Sequence, residues 1–521
     1  MTTFPEHLNL ADYCLFDRLA EGMGQRTAIR FGDRLWTYAQ VADNALRVVH
    51  LLQNAGVRPE ERVYLVLPDM PPFAWAFFGA LKAGAVVAMG NPLAPAADLA
   101  GVVAYIRPRA IVTTPEVAAS LAPALLGVAV FLVPSVGTFD DPEAPLTDAR
   151  CLARLLAATT PATDAPLTAR DAPAIWLFTS GSTGQPKAAM HCHRDFAFST
   201  EAYAKATLHY AADDVCVSVP RLFFGYATGT NLMFPFAVGA CAALFSEKPS
   251  AEHVAWAVRH YRATVLTNVP TLMARLLEAE ADGADIDLSS LRFSLSAGEA
   301  LPPALLERWL ARFDVPVYDG IGSAEMFHIY LTNRPGDVKP GSLGRPVTGY
   351  ALRLLPADAE GPGAPPVAVG ESGTLWIKGD SVATGYWLDR DKSWATFSGH
   401  WCRSGDLFRV DADGYYWFEG RADALLKVGG QWVSPTEVEN CLLTHPGVVE
   451  AAVIGVERDG LVLTRAVVEV RCAADEALAI ALQEWVKTRL ARYKYPREVV
   501  FVDALPRNDR GKVDRKALPR D

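Results

Sequence analysis

The first part of the chain alternates between two patterns of apolar and polar positions. Residues 39–55 and 72–83 repeat apolar positions at helical spacing, whereas residues 63–67 form a short apolar run typical of a buried strand. A chain that switches between helix and strand in this way favours a parallel sheet covered by helices. We therefore predict an α/β fold that begins near Asn9.

The middle of the chain continues the same alternation. Apolar runs at 263–268, 292–296 and 315–319 are predicted strands, and each is followed by a predicted helical segment, the third being residues 320–330. Ligands in an open α/β sheet lie beyond the carboxyl ends of its strands. The residues that directly follow these three runs are therefore candidates for a binding site.

Two other regions have different patterns. Residues 341–350 and 370–387 combine turn residues with short apolar runs, which predicts an all-β section. Residues 134–173 are rich in Pro, Ala, Thr and Asp and show little periodicity, which predicts a surface loop. A separate β section therefore follows the predicted α/β part.

The end of the chain returns to an α/β pattern. Residues 451–456 and 465–470 are predicted strands, and residues 478–490 place apolar side chains on one face of a helix. We predict a large N-terminal domain, residues 1–422, with parallel or mixed sheets, helices and the β section. A small α/β C-terminal domain spans residues 423–521.

Composition agrees with this division. A chain of 521 residues exceeds the size at which one core keeps growing, so at least two domains are expected. Half of the residues are apolar and 21% are charged, as in ordinary globular proteins. The net charge of −10 argues against a general nucleic-acid-binding protein, which needs a broad basic face.

Cysteine spacing and terminal composition predict a cytoplasmic protein. The eight cysteines include no close pair, so neither a disulfide framework nor a zinc site is indicated. The N-terminus carries Glu6 and Asp12 and lacks the basic and apolar regions of a signal peptide. The longest uncharged apolar stretch, 232–245, is shorter than the roughly 20 residues of a membrane span and contains Pro235 and Gly239. We expect no membrane partner.

The loop at 177–187, LFTSGSTGQPK, is the strongest indication of chemistry. Its small residues let the backbone turn tightly and bring N–H groups and hydroxyls against an oxyanion, while Lys187 adds positive charge. A flexible surface turn is the simpler alternative, but this order of residues is more regular than a linker. The loop is not a Walker A motif, because Pro186 precedes the lysine and Ala188 follows it.

Further motifs extend this picture. They are SAGEALP at 296–302, YDGIGSAE at 318–325, the segment 401–430 that contains CRSGDLFRV, and LPRNDRGKVDRKAL at 505–518. Together with the loop, they resemble the adenylate-forming superfamily, which includes acyl- and aryl-CoA ligases, luciferases and peptide-synthetase adenylation domains. The resemblance covers roughly residues 9–518.

The resemblance implies sites for ATP and Mg²⁺. The implied nucleotide-binding residues are Ser180, Gly181, Ser182, Thr183, Gly184 and Lys187 in the loop, Gly298, Glu299 and Ala300 in the adenine turn, Asp319, Gly320 and Ser323 in the following motif, and Asp406 and Arg421 near the ribose. Glu325 is the implied Mg²⁺ ligand and Lys512 the lysine that enters the site during adenylation; with Thr179 they are the implied catalytic residues. One glutamate suffices because Mg²⁺ takes one or two carboxylates plus substrate phosphates.

A narrower resemblance concerns the acid. The run DGIGSAEMFHIY at 319–330 is similar to that of benzoate-CoA ligases, which implies an aromatic acid pocket. Its implied lining residues are Phe224, Gly225, Tyr226, Gly322, His328 and Ile329. Flat side chains beside a glycine suit a planar ring. The alternative for His328 is a histidine of the core.

The resemblance also implies a mobile C-terminal domain. It rotates about a hinge at Asp423, withdraws Lys512 and presents a coenzyme A site. The implied CoA-binding residues are Lys427, Gly429 and Gly430. Two departures from the family pattern are Ala424, where a second Asp is usual, and Arg510, where Thr or Ser is usual.

Three functions are consistent with these residues. The first is an ATP- and Mg²⁺-dependent aryl-CoA ligase that activates benzoate or a small substituted benzoate, such as anthranilate, through an aryl-AMP intermediate. The second is a stand-alone adenylation enzyme that loads an aryl acid onto a separate carrier protein. The third is a non-catalytic adenylate-binding protein, against which the presence of Lys512, Glu325 and Asp406 counts. A homodimer is a further hypothesis about partners.

Two histidines outside these motifs need an interpretation. His191 and His193 lie on a predicted helix at 191–206, where the i and i+2 positions point to different faces and no third ligand is near. We favour a structural or surface role for both over a metal site.

Overall fold

The computed structural model describes residues 3–134, 139–141, 148–180, 186–428, 431–458, 461–471, 473–507 and 513–520. The strands in chain order are β1 (Thr27–Phe31), β2 (Arg34–Thr37), β3 (Arg62–Val66), β4 (Val86–Met89), β5 (Ala110–Thr113), β6 (Ala129–Leu132), β7 (Pro173–Ser180), β8 (Pro186–Cys192), β9 (Val215–Ser218), β10 (Cys241–Leu244), β11 (Val265–Asn268), β12 (Phe293–Ser296), β13 (Val317–Gly322), β14 (Ile329–Thr332), β15 (Arg345–Pro346), β16 (Ala351–Leu355), β17 (Gly373–Lys378), β18 (Phe397–Ser398), β19 (Trp401–Val410), β20 (Tyr416–Arg421), β21 (Leu426–Val428), β22 (Gln431–Val433), β23 (Val448–Arg458), β24 (Leu461–Val470) and β25 (Glu498–Phe501).

The α-helices lie between and around these strands. In chain order they are α1 (Asp17–Ala20), α2 (Tyr38–Asn54), α3 (Pro71–Lys82), α4 (Ala96–Ile106), α5 (Pro115–Ser120), α6 (Leu152–Ala158), α7 (His193–Ser199), α8 (Gly225–Thr228), α9 (Phe234–Val238), α10 (Ala251–Tyr261), α11 (Pro270–Ala281), α12 (Pro303–Phe313), α13 (Arg390–Thr396), α14 (Pro435–Leu443) and α15 (Glu476–Arg489). Short π-helical turns occupy Asp12–Phe16, Thr200–Lys205 and Gly229–Met233.

Two large sheets form the centre of the molecule. One has six strands in the order β6-β5-β3-β4-β7-β8, all parallel except β8, which pairs antiparallel with β7. The other has nine strands in the order β15-β14-β13-β12-β11-β9-β10-β1-β2, parallel in its middle and antiparallel at its ends. The carboxyl ends of β7, β12 and β13 carry the motifs identified in the sequence.

The helices follow local rules that the sequence shows clearly. Thr37 accepts a hydrogen bond from the backbone N–H of Gln40, whose side chain in turn accepts from the Thr37 N–H, so α2 begins with a capping box. Helix α3 begins with Pro71 and Pro72, and every residue from Pro71 to Leu81 is buried, because this helix packs within the main core.

The β section and the C-terminal residues form smaller units. Strands β16, β17, β19 and β18 pair in that order, and β20 joins the sheet beside β19. After them come the β21–β22 hairpin and the three-stranded sheet β23-β24-β25, covered by α14 and α15. Two apolar clusters there consist only of residues after β20, so the C-terminal residues have a core of their own.

The predicted α/β fold with a β section and a smaller C-terminal unit is confirmed, and three details of the prediction are wrong. Residues 320–330 form the end of β13, a 3₁₀ turn at Ala324–Met326 and the start of β14, and not a helix. Residues 191 and 192 end β8, so the helix begins only at 193. The predicted loop 134–173 contains α6, which buries Leu152, Ala153 and Leu156.

The physical reason for the first difference is close strand pairing. A Cβ atom on Gly320 would lie 2.8 Å from the Leu331 carbonyl oxygen, and one on Gly322 would lie 2.4 Å from the His328 carbonyl oxygen. Glycine at these two positions lets β14 approach β13 closely, and glycine also disfavours a helix. The apolar residues of the run are then buried by the sheet.

No helix in the described ranges is both long enough and apolar enough to cross a membrane. The cysteines described by the structure, which exclude Cys472, are all buried and free.

Candidate active site

The β7–β8 hairpin presents the predicted phosphate loop. Thr179 near the end of β7 pairs with Lys187 at the start of β8, so the hydroxyl residue and the lysine lie side by side where the loop begins and ends. Ser180 pairs with Pro186, and Gly181, Ser182, Thr183 and Gly184 lie outside the described residues. Burial, with a smaller contribution from Lys392, lowers the pKa of Lys187.

The adenine turn follows β12. Gly298 has a φ of +88°, a conformation that glycine adopts readily, and no atom lies within 4 Å of the position that its Cβ would take. Ala300 is exposed. The Glu299 carboxylate accepts hydrogen bonds from the Thr271 N–H at 3.1 Å and the Thr271 hydroxyl at 2.7 Å, at the N-terminus of α11. Its side chain thus anchors the turn to that helix, while Gly298 and Ala300 form the exposed side of the turn.

Asp319 lies on β13 and is buried, with 7% of its surface exposed. Its Oδ1 atom has no hydrogen-bond partner among the described residues. Burial raises the pKa of Asp319 to about 7. An acceptor without a partner at this depth is available to an amino group of a ligand. Gly320 follows it in the strand, and Ser323 is half-buried just before the 3₁₀ turn.

Glu325 is held in the 3₁₀ turn by contacts on both sides. The Tyr386 hydroxyl donates a hydrogen bond to Glu325 Oε1 at 2.7 Å, and the Ala383 N–H donates to the Glu325 carbonyl oxygen at 2.8 Å. The His191 ring lies between Asp195 Oδ2, at 3.1 Å, and the carbonyl oxygen of Ala324, at 2.6 Å. His191 is therefore a buried structural neighbour of the site.

His193, the other histidine of the pair, is also buried. Its Nδ1 atom accepts a hydrogen bond from the Leu10 N–H at 3.0 Å, and burial lowers its pKa to about 3, so the ring is neutral. The ring therefore joins the N-terminal segment to the start of α7.

The surroundings of Glu325 suit Mg²⁺. The described part of the chain contains no group of three or more His, Cys, Asp or Glu side chains that could hold a metal by themselves. Within the same residues, Glu325 forms no salt bridge with a lysine or arginine. One carboxylate near a phosphate loop is the donor set that Mg²⁺ uses when substrate phosphates supply the remaining ligands. The residues present therefore fit the ion.

A strained turn connects Glu325 to the predicted acid pocket. Phe327 has φ +64° and ψ −58°, and the His328 N–H donates to the Met326 carbonyl oxygen at 2.9 Å, which defines a γ-turn. Such a conformation costs on the order of 1–3 kcal/mol for a bulky residue and is found mainly at functional sites. The Phe327 ring packs on Phe196 with centroids 3.7 Å apart, which helps to hold the turn.

The γ-turn brings His328 against Tyr226. The His328 Nε2–H donates to the Tyr226 carbonyl oxygen at 3.0 Å, and the two rings lie 5.5 Å apart. Burial lowers the pKa of His328 to about 3, so the ring is neutral. His328 Nδ1 and the Tyr226 hydroxyl have no partner among the described residues. Tyr203 and Phe234 complete this aromatic surrounding.

The remaining predicted pocket residues have different positions. Gly225 lies beside Leu177 and the Phe327 carbonyl oxygen, and Phe224 stacks near Phe223 with centroids 4.4 Å apart. Gly322 contacts the backbone of His328 in the β13–β14 pair, and Ile329 is 2% exposed within the main core. The structure thus brings Gly225, Tyr226 and His328 together.

The predicted ribose residues face each other across β19 and β20. Asp406 pairs in register with Arg421, and Arg421 Nη1 lies 3.3 Å from Asp406 Oδ1. The buried Cys402 thiol lies within electrostatic range of both Glu325 and Asp406; burial first, and then these carboxylates, raise its pKa well above its usual value. Asp406 and Glu325 therefore lie in the same region of the molecule, near Cys402.

Comparison with known proteins identifies the family. A family model described as AMP-binding enzyme matches residues 16–387, and a model described as AMP-binding enzyme C-terminal domain matches residues 437–512. The chain belongs to the AMP-binding enzyme family. The resemblance to the adenylate-forming superfamily is thus confirmed.

Individual relatives of this AMP-binding enzyme match it over nearly the whole chain. A benzoate-CoA ligase of Thauera aromatica is 40% identical and covers 99% of this chain and 96% of its own length. A benzoate CoA ligase from Burkholderia xenovorans LB400 has a TM-score of 0.88 at 38% identity, covering 99% of this chain and all of its own. An anthranilate CoA ligase in complex with anthranoyl-AMP has a TM-score of 0.90 at 34% identity, covering 98% and 96%.

The predicted CoA and hinge residues of this AMP-binding enzyme are only partly described. Asp423 lies in a 3₁₀ turn at Ala422–Ala424, directly after β20. Lys427 is exposed on β21, opposite Trp432 of β22. Gly429, Gly430 and Lys512 lie outside the described residues.

Sequence reasoning missed two residues of the site. Tyr386 lies far from Glu325 in the sequence, and nothing in its local pattern indicates that its hydroxyl reaches that carboxylate. Phe327 lies within the motif at 319–330, but a phenylalanine in the sequence gives no sign of a φ of +64°.

Proposed function

We propose that this AMP-binding enzyme is an ATP-dependent aryl-CoA ligase. It activates benzoate or a small substituted benzoate, such as anthranilate, as an aryl-AMP and transfers the acyl group to the thiol of coenzyme A. The observation that carries this proposal is the γ-turn that joins Glu325 to His328. It connects the carboxylate that we assign to the ATP-bound metal with the aromatic group of His328 and Tyr226. The names of the relatives, benzoate- and anthranilate-CoA ligases, support the same substrate class.

The first step makes the carboxylate reactive. A free carboxylate is a poor acyl donor because oxide would have to leave. A carboxylate oxygen attacks the α-phosphorus of ATP, an O–P bond forms, and the bond to pyrophosphate breaks. In the second step the CoA sulfur bonds to the acyl carbon, loses its proton, and AMP leaves. Both steps are favoured by groups placed where negative charge develops.

The hairpin residues are placed to meet that charge. Thr179 and Lys187 lie side by side at the base of the loop and would contact ATP phosphates, together with the backbone N–H groups of residues 181–184. Glu325 would hold Mg²⁺, which neutralises phosphate charge when it is bound. Lys512 would add positive charge during adenylation. One preorganised donor of this kind contributes about 3 kcal/mol in known oxyanion sites.

Other residues would orient the nucleotide. The unpartnered Asp319 Oδ1 suits the adenine amino group, beside the open turn at Gly298 and Ala300. Asp406 would accept hydrogen bonds from the ribose hydroxyls, with Arg421 beside it. These assignments place adenine at the carboxyl ends of β12 and β13, where ligands of α/β sheets bind.

The acid would lie against Tyr226 and His328. Both rings are neutral and flat, so a planar aromatic ring would pack against them better than a flexible chain. We propose that Lys427, Gly429 and Gly430 bind CoA. We also propose that a C-terminal domain at 423–521 rotates about Asp423. The separate core of the C-terminal residues supports such a domain.

A pyrophosphate-release assay tests the proposal. With ATP and Mg²⁺, benzoate or anthranilate should release pyrophosphate, and a fatty acid of medium length should not. Addition of CoA should then yield the aryl-CoA thioester. Absence of release with every aryl acid would contradict the enzyme assignment. Release without thioester formation would favour transfer to a carrier protein as the second step.

A further inference from the structure

Tyr386 contacts the carboxylate that we assign to Mg²⁺. Its hydroxyl donates to Glu325 Oε1 at 2.7 Å, and the side chain is 7% exposed. A hydrogen bond to a charged acceptor is stronger than one between neutral groups, and it fixes the direction of the carboxylate. It also occupies one carboxylate oxygen, Oε1, and no hydrogen bond to Oε2 is present among the described residues.

The backbone around Tyr386 is anchored on both sides of the site. Residues 384–387 run antiparallel to β8, with hydrogen bonds from the Thr384 N–H to the Met190 carbonyl oxygen, 2.9 Å, and from the Trp387 N–H to the Ala188 carbonyl oxygen, 3.0 Å. The Ala383 N–H donates to the Glu325 carbonyl oxygen at 2.8 Å. These backbone hydrogen bonds therefore fix the position of the Tyr386 hydroxyl relative to Glu325.

The ring of Tyr386 also faces Lys187. The Lys187 Nζ atom lies 5.6 Å from the ring centroid, a cation–π distance. Lys187 and Glu325 are close enough to influence each other electrostatically, yet they form no salt bridge in the described ranges. The ring accepts the lysine on its face while the hydroxyl engages the carboxylate. The two opposite charges thus remain available to a ligand instead of neutralising each other.

From this geometry we propose that Tyr386 is a positioning residue for the metal site. It holds Glu325 Oε1, would leave Oε2 available to Mg²⁺, and keeps Lys187 from pairing with Glu325. The inference rests on the proposed role of Glu325 as the Mg²⁺ ligand. Partners that orient a metal ligand typically change metal affinity or activity about 10- to 100-fold when they are removed.

A role in packing alone gives a different expectation. The Tyr386 ring packs on Phe397, with centroids 5.3 Å apart, and on Ala189, Ala324 and Ala383. Phenylalanine keeps all of these contacts and the ring face for Lys187, and it removes only the hydroxyl. Tyr386→Phe therefore separates positioning from packing.

The experiment measures ATP binding by calorimetry at increasing Mg²⁺ concentration, without aryl acid. In Tyr386→Phe we expect half-maximal enhancement of ATP binding to need at least about tenfold more Mg²⁺. The KM for benzoate should change less than twofold. Tyr261→Phe is the matched control, since it also removes a buried hydroxyl, one that donates to the Leu244 carbonyl oxygen at 2.9 Å away from the site. It should leave the Mg²⁺ dependence unchanged.

Glu325→Gln tests the assignment of the Mg²⁺ ligand separately from the role of Tyr386. If this variant alters the Mg²⁺ dependence and Tyr386→Phe does not, Tyr386 has no positioning role. If neither variant alters it, Glu325 is not the Mg²⁺ ligand and the metal assignment fails together with the inference. Tyr386→Leu removes the ring as well, so we expect it to weaken ATP binding further than Tyr386→Phe. Equal ATP affinity in the two variants would contradict the role of the ring towards Lys187.

Discussion

At the scale of single residues, the site depends on conformations and environments that are costly elsewhere. Phe327 adopts a positive φ although it is bulky, and Asp319 is a buried acid with an unpartnered oxygen. Such features persist only where the surrounding structure imposes them. Asp319 lies in β13 and Phe327 lies between β13 and β14, and the glycines of β13 allow the close backbone approach described above. The chemistry of the site therefore begins with backbone geometry.

Asp319 should make stability depend on pH. Its pKa is raised by burial to about 7, so between about pH 4 and pH 7 the folded chain holds a proton that the unfolded chain releases. Stability is then lost as pH rises through this window, with a slope of up to about 1.4 kcal/mol per pH unit from this group. In urea unfolding, the free energy of unfolding of Asp319→Asn relative to wild type should increase from pH 4 to pH 8. The exposed Asp213→Asn is the control, and an equal pH profile in both variants would contradict this effect.

Gly229 should control the position of His328. A Cβ atom on Gly229 would lie 2.5 Å from His328 Cδ2, too close for an unshifted ring. Gly229→Ala should therefore raise the KM for benzoate about tenfold or more with less than twofold change in ATP binding. Gly101→Ala in α4 is a matched control, since no atom lies within 4 Å of the position that a Cβ would take there. A larger change in ATP binding than in KM would mean that the acid lies elsewhere.

At the scale of elements, the ends of several strands form the site, and hydrogen bonds between these strands hold them together. The β7–β8 hairpin carries Lys187, the β13–β14 pair carries Glu325, and residues 384–387 bridge them by pairing with β8. Strand ends rather than long loops position these side chains, which favours the rigid placement that charge stabilisation needs. The short turns between elements set the directions of the functional groups.

Glu299 joins helix α11 to the adenine turn. Its carboxylate accepts from the N–H and hydroxyl of Thr271 at the start of α11, where a negative charge is favourable. Glu299→Ala should lower stability by about 1 kcal/mol and weaken ATP binding several-fold, because the turn loses its anchor. Thr114→Ala removes the cap of α5 and should cost similar stability without a change in ATP binding. Unaltered ATP binding in Glu299→Ala would show that the turn does not depend on this contact.

At the scale of the whole molecule, the C-terminal residues have their own sheet and core. The contacts that join them to the rest include a salt bridge between Arg471 and Glu278, 3.3 Å long and about half exposed at each end. A bridge of this kind contributes little to stability. Loss of this one bridge during the rotation that we propose for the second step would therefore cost little.

Lys512 tests that rotation. Lys512→Ala should lower the rate of pyrophosphate release by at least about a hundredfold, because a positive charge is lost where negative charge develops. Thioester formation from supplied benzoyl-AMP and CoA should change less than threefold. Lys516→Ala, which alters a nearby lysine of the same segment, should affect neither step. Equal loss of both half-reactions in Lys512→Ala would contradict a domain that moves between them.

Local patterns in the sequence predict many of the elements and indicate the family. Apolar periodicity predicts α2, α3 and the strands beside them, because burial of an apolar face is a local pattern. The order of small, hydroxyl and charged residues in the loop and the later motifs indicates the family. These features depend on neighbours within a few positions, which sequence reasoning can read.

Contacts between segments that are far apart in the chain are visible only in the folded structure. The hydrogen bond between Tyr386 and Glu325 and the anchor between Glu299 and Thr271 are contacts of this kind. The predicted helix at 320–330 is instead a strand pair, because β13 pairs with β12 on one side and with β14 on the other. Pairing within a buried sheet overrides local propensity.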